Sequence, residues 1–600
     1  MRFADYIVSF LVSRGIDTAF IVTGGGAMHL NNAFAASKDF TCYSFHHEQA
    51  AAIAAEGYAR IAGKPCVLNV TSGPGGLNAM TGIFGAYTDS MPILVFSGQV
   101  KTDTLISQNS IHGLRQLGDQ ETQIINSINH MTKWSGQPRT TEEGKAMLLA
   151  MYETSIKGRP GPTWMDIPIN IQGQKVDEND IDFSSHTHRN NTNETNDHSH
   201  FLIPEILEKL NAAKKPLIIA GTGIRISKTI PELHATAELL QVPVCTAWTH
   251  DIFDNEHYLF AGRPGTIGTR AGNFVVQNAD LVLILGSRLN IRQISYNLES
   301  FAANAEKIWV DIDPAELAKP FPAVDVRVQA DLKDFLPELQ EAAQSASNRI
   351  DRSKWINWCR DINNKYTPKS DDYEVSKDRI NAYHFISSLF EQLRDDDIII
   401  CGNASATIIP YQIGKVKFGQ RLISNSGCAS MGYDLPAAIG AAIAAPDRRV
   451  ICLAGDGSIM MNIQDLITIR NYNLNVSIFI LENDGYLSIK QTQSNFFGFE
   501  HGSSSHSGLM FPNFEYMSKA CDINYLKLDN RIYSDQLHDL LKQNVCAQII
   551  EVPCDLNQEF EPRLKSRQEG DQIFTPELDD MFPFLERSTL DAIRNSSQAI

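Results

Sequence analysis

The sequence predicts an α/β protein built from three doubly wound parallel-sheet domains, each with helices on both faces of its sheet. Unbroken apolar runs at 66–70, 449–455 and 476–481 alternate with helical stretches, which is the pattern of strands buried on both sides. The 600 residues are too many for one hydrophobic core. A polar tract at 186–200 and a charged stretch at 341–376 divide the chain into three such units.

These divisions set the domain boundaries that we expect. The tract at 186–200 has low complexity, and its histidines are irregularly spaced without a cysteine, so a solvated linker is favoured over a metal site. Three prolines near the C-terminus suggest an extended tail. We expect an N-terminal domain at 1–178, a linker at 179–200, a central domain at 201–345, a C-terminal domain at 377–556 and a tail at 557–600.

Composition and charge narrow the class of function. A formal net charge of −18 disfavours binding to nucleic acid or to an anionic membrane surface. No apolar run reaches the ~18 residues of a membrane span, and the first residues are typical of an amphipathic helix rather than a signal peptide. Ten cysteines occur without a Cys-x-x-Cys pair, as in reduced proteins. We expect a cytoplasmic protein with no nucleic-acid or membrane partner.

An acidic turn and an amide turn follow two neighbouring apolar runs. The run at 449–455 ends at Asp456, a helical stretch follows, and the run at 476–481 ends near Asn483. In a βαβ unit the two strands are parallel, so both side chains emerge at one sheet edge, where open α/β sheets bind ligands. Carboxylate, amide and carbonyl oxygens suit Mg²⁺, and glycines let the backbone approach a diphosphate. The predicted metal ligands are Asp456, Asn483 and Gly485, and the predicted diphosphate contacts are Gly455, Gly457 and Ser458.

A Gly-Asp-Gly turn by itself is common in α/β proteins. Its spacing to Asn483, however, resembles the thiamine-diphosphate signature, and the whole chain resembles the acetolactate synthase family. The family's signature ends in an Asn pair, and Glu482 replaces the first member of that pair. The resemblance implies thiamine diphosphate and Mg²⁺ as cofactors, and pyrimidine-binding, central and diphosphate-binding roles for the three domains.

A second stretch, at 45–100, resembles the pyrimidine-binding domain of the same family. There the glutamate at the position of Glu48 hydrogen-bonds the aminopyrimidine ring and promotes its imino form, which implies a catalytic role for Glu48. An acid at the start of a helix is also favoured by the helix dipole alone. Gln120 matches an active-site glutamine of the family. Further predicted cofactor contacts are Gly24 and Gly25, in a loop that faces the thiazolium in the family, and Thr71.

The stretch at 424–444 carries a third match to the family. Met431 occupies the position where family members place an apolar residue that bends the cofactor, and a flexible thioether fills such a space well. The backbone carbonyl at Ala429, where relatives often have Gly, would accept from the cofactor's amine. His47 also fits the family pattern, without a role that we can assign.

Segments of the central domain resemble the FAD-binding segments of acetolactate synthases. Glycine-rich loops follow strands in any doubly wound domain, so each segment is weak by itself. In the family's order they imply FAD with a structural role rather than a redox role. The residues concerned are Gly221, Gly223, Arg288, Asp311 and Asp313.

From this resemblance we expect thiamine-diphosphate-dependent decarboxylation of a 2-oxo acid such as pyruvate, with carboligation of the resulting acyl anion to a carbonyl acceptor. The family's active site lies between one subunit's first domain and another's third, which implies a homodimer or a homotetramer. The alternatives are acetolactate synthase proper in branched-chain amino acid synthesis, a simple 2-oxo acid decarboxylase, an FAD-dependent oxidase and a non-catalytic regulatory homologue.

Two departures from the family pattern concern the acceptor. Thr492 stands where acetolactate synthases usually have Trp, and Asp119 stands where they have Phe, so we expect a larger and more polar pocket. His112 is a further candidate for lining it. Because an added carboxylate repels an anion, we expect a neutral or hydroxylated carbonyl compound as acceptor, in preference to pyruvate or 2-oxobutyrate.

Overall fold

The fold was described from a computed structural model of the chain. It shows three parallel-sheet α/β units in sequence order, which confirms the predicted fold class. No helix in the described ranges is long and apolar enough to cross a membrane. The described residues are 1–109, 112–177, 199–247, 250–346, 350–542, 547–569 and 572–600.

The first unit is a parallel sheet with strand order β2-β1-β3-β4-β6-β5. Its strands are β1 (Thr18–Ile21), β2 (Thr41–Ser44), β3 (Cys66–Val70), β4 (Ile93–Gln99), β5 (Trp134–Gly136) and β6 (Thr163–Pro168). Its helices are α1 (Phe3–Ser13), α2 (Met28–Ala36), α3 (Glu48–Ala62), α4 (Pro74–Thr88), α5 (Ile106–Asn109), α6 (Ile124–Ile128), α7 (Thr141–Ile156) and α8 (Ile169–Gln172). Because α3 follows β2 closely, its first residue lies at the carboxyl edge of the sheet.

The second unit has strand order β11-β10-β9-β7-β8, again all parallel. Its strands are β7 (Pro216–Ala220), β8 (Val244–Thr246), β9 (Leu281–Leu285), β10 (Glu306–Asp311) and β11 (Val326–Gln329). Its helices are α9 (Ser199–Ala212), α10 (Gly223–Ile226), α11 (Ile230–Leu240), α12 (Arg270–Asn278), α13 (Ile291–Ile294), α14 (Pro314–Leu317), α15 (Leu332–Ser345) and α16 (Ser353–Tyr366).

The third unit has strand order β13-β12-β14-β15-β17-β16, all parallel. Its strands are β12 (Ile398–Cys401), β13 (Arg421–Ile423), β14 (Val450–Gly455), β15 (Val476–Glu482), β16 (Asn524–Lys527) and β17 (Ala547–Pro553). Its helices are α17 (Ala382–Glu391), α18 (Ser405–Ile413), α19 (Asp434–Ala444), α20 (Asp456–Ile459), α21 (Leu466–Asn471), α22 (Leu487–Phe497), α23 (Phe514–Ala520) and α24 (Tyr533–Lys542). Gly455 pairs with Leu481, so β14 and β15 end side by side.

The first and third sheets share one hydrophobic core, in which α3 crosses α19. A Cβ added at Gly57 of α3 would lie 2.5 Å from the carbonyl oxygen of Ala437, and one at Gly440 of α19 would lie 1.9 Å from that of Ala54. The two helices therefore pack backbone against backbone, which only glycine permits at these positions. The central unit has separate cores on the two faces of its own sheet.

The stretch at 341–376 differs from the expected interdomain segment. It contains α16, which buries Trp355 and Cys359 in the core of the central unit. Its apolar residues recur at helical spacing, and this amphipathic pattern places the helix on the central sheet rather than in solvent. The linker expected at 179–200 lies outside the described residues, apart from 199–200 at the start of α9.

Residues 557–600 are not the extended tail that their prolines suggested. They form a β-hairpin of β18 (Arg567–Glu569) and β19 (Gln572–Phe574), followed by α25 (Arg587–Ser596). Leu578, Leu590 and Ile593 join the core of the central unit. Leu590 and Ile593 are three residues apart, so one face of α25 is apolar and packs on the central domain.

Candidate active site

The carboxyl edge of the third sheet places a buried acid beside a buried amide. Asp456 follows β14 and is 1% exposed. Its Oδ2 accepts the backbone N–H of Asn483 at 3.1 Å and of Gly485 at 3.0 Å, and its Oδ1 accepts that of Gly457 at 2.7 Å. Burial raises the pKa of Asp456 to about 7, although these donors oppose the shift. A cation bound at this edge would lower that pKa and favour the ionised carboxylate.

Asn483, at the end of the neighbouring strand β15, provides a second oxygen that could bind such a cation. Its side-chain oxygen is buried without a hydrogen-bond partner, while its amide nitrogen donates to Ser405 Oγ at 3.3 Å. Such an orphaned acceptor is costly unless a ligand satisfies it. The described residues hold no cluster of three or more His, Cys, Asp and Glu able to bind a metal. One carboxylate with amide and carbonyl oxygens is the donor set that Mg²⁺ accepts, so the residues present fit that ion.

The glycines of the turn have different surroundings. A Cβ added at Gly455 would meet nothing within 4 Å, whereas one at Gly457 would lie 2.3 Å from the ring of Tyr486. Gly455 thus faces a cavity at this edge of the sheet, which is described below. At position 457 a glycine is required, because any side chain would clash with Tyr486. The hydroxyl of Ser458 is already engaged, because it donates to Asp434 and accepts the N–H of Gly432 at 3.0 Å.

The loop before α19 presents Ala429 and Met431 to the same cavity. Ala429 has φ +52, a left-handed conformation that favours glycine over alanine. Its carbonyl accepts from Asn403 Nδ2 at 2.8 Å. Met431 is half-buried and lines the cavity wall.

This cofactor cavity has a volume of about 340 Å³. Its walls come from the third unit and from the loop around α13 of the central unit. Arg292 is the charged side chain among its lining residues in the described part of the chain, and no hydrogen bond or ion pair engages its guanidinium there. The sequence analysis missed Arg292, although its position four residues after Arg288 in the flavin-like segment was a usable signal.

A second cluster lies at the carboxyl edge of the first sheet. Glu48 begins α3, is 9% exposed and accepts from Asn78 Nδ2 at 3.0 Å. A Cβ added at Gly75 would lie 3.5 Å from Glu48 Oε1 and 2.9 Å from Thr71 Cγ2. A Cβ added at Gly24 would lie 2.5 Å from Thr71. The structure thus brings Glu48, Thr71 and the Gly24 loop together at one edge of the sheet.

Two further residues complete this edge. Gln120 has φ +61, and its carbonyl oxygen lies 2.3 Å from the position of a Cβ at Gly73, so it covers the turn after β3. A Cβ at Gly25 would meet open space. His47 is the N-cap of α3, because its Nδ1 accepts the N–H of Gln49 at 3.1 Å, which is the role that the sequence left open.

The three residues predicted for the substrate pocket lie on the surface of the single chain. His112, Asp119 and Thr492 are exposed, and none of them lines the cofactor cavity. Thr492 Oγ1 donates to the carbonyl of Ser488, one helical turn earlier on α22, at 2.9 Å. Ser488 does line the cavity, so Thr492 lies one turn beyond its wall.

The two clusters do not meet within one chain. None of the described residues that line the cofactor cavity belongs to the first unit. The Glu48 cluster and the Asp456 cluster each form an open half of a site.

A larger cavity of about 1250 Å³ lies between the first and central units. Gly221, Gly223, Arg288 and Asp311 line it, and burial raises the pKa of Asp311 to about 6. Its size exceeds the ~300–1,000 Å³ of typical small-ligand pockets, and its arginines suit phosphate groups. The residues present therefore fit a dinucleotide such as FAD.

The central glycines also have a packing role. A Cβ added at Gly221 would lie 2.4 Å from the carbonyl oxygen of Gly286, and one at Gly223 would lie 2.7 Å from its Cα. Asp313 does not line the cavity. Its Oδ1 caps α14 by accepting the N–H of Ala315 at 2.9 Å, and its Oδ2 pairs with Arg159 at 3.0 Å.

Family profiles match all three units. Residues 1–123 match the thiamine pyrophosphate enzyme N-terminal TPP binding domain, residues 203–339 the central domain and residues 402–551 the C-terminal TPP binding domain. The thiamine-diphosphate-dependent 4-hydroxybenzoylformate decarboxylase of Rhodococcus jostii RHA1 has a similar fold. It has a TM-score of 0.76 and 19% identity, over 93% of this chain and 100% of that one. Fold and profiles together define a thiamine-pyrophosphate-dependent enzyme.

Two acetolactate synthase large subunits are similar to this chain over most of its length. The chain is 30% identical over 575 residues to the acetolactate synthase large subunit of Lactococcus lactis subsp. lactis (strain IL1403), covering 95% of each chain. It is 30% identical over 508 residues to the acetolactate synthase isozyme 2 large subunit of Escherichia coli (strain K12), covering 83% of this chain and 86% of that one. The chain belongs to the acetolactate synthase family of these enzymes.

Proposed function

We propose that the chain decarboxylates a small 2-oxo acid and transfers the resulting acyl anion to a carbonyl acceptor, with thiamine diphosphate and Mg²⁺ as cofactors. The observation that carries this proposal is the edge at which a desolvated Asp456 lies beside the orphaned oxygen of Asn483. When bound, thiamine diphosphate supplies the nucleophilic carbon and the electron sink for decarboxylation.

The chain's own residues bind and orient the reactants. Asp456 and Asn483 hold the metal, with a backbone carbonyl at Gly485 as a third donor. Met431 shapes the wall beside the cofactor, and the carbonyl of Ala429 accepts from the amine of the pyrimidine. This carbonyl already lies in the cavity wall and has a second lone pair besides the one that Asn403 uses.

Glu48 holds and returns a proton at the pyrimidine ring. Among the residues that the structure describes, Asn78 is the one donor to its carboxyl, so Oε1 stays available for a ring nitrogen. Since the cofactor cavity of one chain lacks first-unit residues, we propose that Glu48 acts across an interface between two copies. The active assembly is then a homodimer or a homotetramer, with Gln120 covering the same edge.

Arg292 binds the carboxylate of the 2-oxo acid. It is exposed, it is the charged side chain of the cavity wall in the described residues, and it has no competing partner there. A guanidinium fits a carboxylate in a bidentate geometry. This supports an anionic donor substrate, and it places the donor at the end of the cavity formed by the central unit.

We propose FAD as the occupant of the central cavity, in a structural role. Purified protein should then be yellow, should release FAD on denaturation and should consume no oxygen during turnover. A colourless, active preparation that does not respond to added FAD would refute this part of the proposal. Stoichiometric peroxide would favour an FAD-dependent oxidase.

The acceptor is tested by mass spectrometry of the products formed from pyruvate with a panel of aldehydes, ketones and keto-sugars. We propose a neutral or hydroxylated ketone, because Thr492 leaves space one turn beyond the cavity wall and Asp119 adds negative charge. If pyruvate alone gives acetolactate at a kcat/KM equal to or above that with every ketone, acetolactate synthase proper is the function. Acetaldehyde alone would identify a simple decarboxylase, and no product would favour a non-catalytic homologue.

A further inference from the structure

A short turn separates the central cavity from the cofactor cavity. Residues 88–90 form the C-terminal end of α4 and the turn after it, and they line the central cavity. On their other side lies the cofactor loop, which we define as residues 425–433, with Ala429 and Met431 in its middle. Asn290 and Ser426 line both cavities. A displacement of residues in one cavity is therefore transmitted to the other through few contacts.

Two buried acids of the first unit hold the cofactor loop at three points. Asp89 Oδ1 accepts the N–H of Gly427 at 3.1 Å. Glu56 accepts from the hydroxyl of Tyr433 at 2.7 Å and from Asn425 Nδ2 at 3.5 Å. Arg60 joins the two acids, since it pairs with Glu56 and with Asp89 at 2.9 Å. These contacts fix the part of the loop that carries Ala429 and Met431.

Two arginines that line the central cavity, Arg159 and Arg288, donate hydrogen bonds to the turn at 88–90. Arg288 Nη2 lies 3.7 Å from Asp89 Oδ1, the oxygen that also accepts from Gly427, and Arg288 Nη1 donates to Thr88 at 3.2 Å. Arg159 donates to the Thr88 carbonyl at 3.3 Å and to Ser90 Oγ at 2.8 Å. An anionic group in the central cavity would compete with Thr88 and Asp89 for these guanidinium groups.

We propose that Asp89 couples ligand binding in the central cavity to thiamine diphosphate binding in the cofactor cavity; this rests on the proposed function. A dinucleotide phosphate that draws Arg288 away leaves Asp89 Oδ1 to Gly427 alone. The hydrogen bond from Gly427, no longer in competition with Arg288, then restricts the cofactor loop more strongly. Thiamine diphosphate therefore loses less conformational entropy of the loop when it binds. Each ligand then raises the affinity of the other by the same factor, as linkage requires.

The test measures affinity rather than turnover. Flavin-depleted protein is titrated with thiamine diphosphate in excess Mg²⁺ by calorimetry, with and without saturating FAD. We expect FAD to lower the Kd about tenfold, within the 5–150-fold usual for coupled sites. Titration with FAD, with and without thiamine diphosphate, must give the same factor. Equal Kd values with and without FAD would overturn the inference.

Two variants locate the coupling. Asp89→Asn should bind both ligands with the coupling lost, because a neutral amide forms no ion pair with Arg60 or Arg288. Glu316→Gln is the control: Glu316 lines the central cavity and pairs with Arg159 at 2.7 Å, so its coupling should persist. Coupling that persists in Asp89→Asn would refute the role of Asp89.

Two further outcomes distinguish a failure of the coupling between the two cavities from a failure of FAD binding itself. If Asp89→Asn does not fold, Arg288→Met carries the same expectation, and coupling that persists there would refute the proposal. A protein that binds no FAD would remove the flavin from the proposed function and the coupling with it. Independent binding of both ligands would refute the coupling alone.

Discussion

The two acids at the two sheet edges are held in different ways. Asp456 accepts three backbone N–H groups, which the ends of β14 and β15 fix in place. Glu48 accepts from one side-chain amide, Asn78, and in the described residues no hydrogen bond engages its Oε1. The first arrangement suits an acid that stays in one place. The second leaves one carboxylate oxygen without a hydrogen-bond partner among those residues, which agrees with the roles that we propose, a metal ligand for Asp456 and a proton-transfer group for Glu48.

The largest effect should come from removing the fixed acid. Asp456→Ala removes the proposed charged ligand of the metal, and we expect thiamine diphosphate binding to weaken by about 5 kcal/mol, or more than 10³-fold, as for other broken charge pairs. Calorimetry in excess Mg²⁺ measures this. Glu482→Gln is the matched control, since Glu482 pairs with Arg379 outside the cavity and its loss should preserve affinity. Unchanged binding in Asp456→Ala would contradict the comparison.

The next effect separates catalysis from binding. Glu48→Gln keeps the size of the side chain and removes its ability to exchange a proton, so turnover should fall ~10²–10⁴-fold. Thiamine diphosphate affinity, measured by the same calorimetry, should stay at the wild-type value. Turnover near the wild-type rate at saturating cofactor would show that Glu48 is only a helix-start acid.

A third carboxyl sharpens the contrast because it serves the fold alone. Asp166 on β6 is 1% exposed and accepts from Ser97, Gln99 and Gln137. Burial raises its pKa from 3.8 to about 6. The folded state holds the proton more tightly, so this contribution is fully present below about pH 4 and is lost as the pH rises through about 6.

The Asp166→Asn variant does not titrate at this site. Between pH 4 and 7 the wild type should lose up to about 3 kcal/mol of stability relative to the variant. Urea denaturation of both proteins across this range measures the difference. A difference that does not change with pH would show that Asp166 has the same charge state in the folded and unfolded protein.

The smallest effect concerns substrate recognition. Arg292→Gln should raise the KM for the 2-oxo acid about 10- to 100-fold, the value of one hydrogen-bonded charge, with a smaller change in kcat. Arg292→Lys keeps the charge and should recover part of the affinity. Initial rates against substrate concentration measure both constants. An unchanged KM in Arg292→Gln would exclude Arg292 from donor binding.

Much of this arrangement is readable from the sequence, because strand order constrains it. The spacing from Gly455 to Asn483 predicted two parallel strand ends, and the structure places Asp456 within hydrogen-bonding distance of the Asn483 N–H. The alternation of strands and helices likewise predicted three doubly wound sheets. Local patterns suffice here because a βαβ unit fixes its own geometry.

Long-range contacts were not readable in the same way. The spacing from Arg288 marks the segment of Arg292 but not its contact with the cofactor cavity, and nothing local distinguishes Asp89 from other helix-end acids, because both contacts arise where separate units meet. The prolines after residue 557 hid an amphipathic helix whose partner, the central core, lies more than two hundred residues away in sequence. The glycine at 457 predicted close approach to a ligand. It lines the cofactor cavity, but its packing against the ring of Tyr486 was not readable from the sequence.

The crossing of α3 and α19 has a consequence for tolerance to mutation. α3 begins with Glu48, and α19 begins with Asp434, whose carboxylate holds Ser458 in the turn of Asp456. One added methyl group at Gly440 would separate the two helices and displace the start of each. A substitution at this crossing, which is far from both sheet edges, would therefore displace the Glu48 cluster and the Asp456 cluster together. A substitution at either edge would affect only one of them.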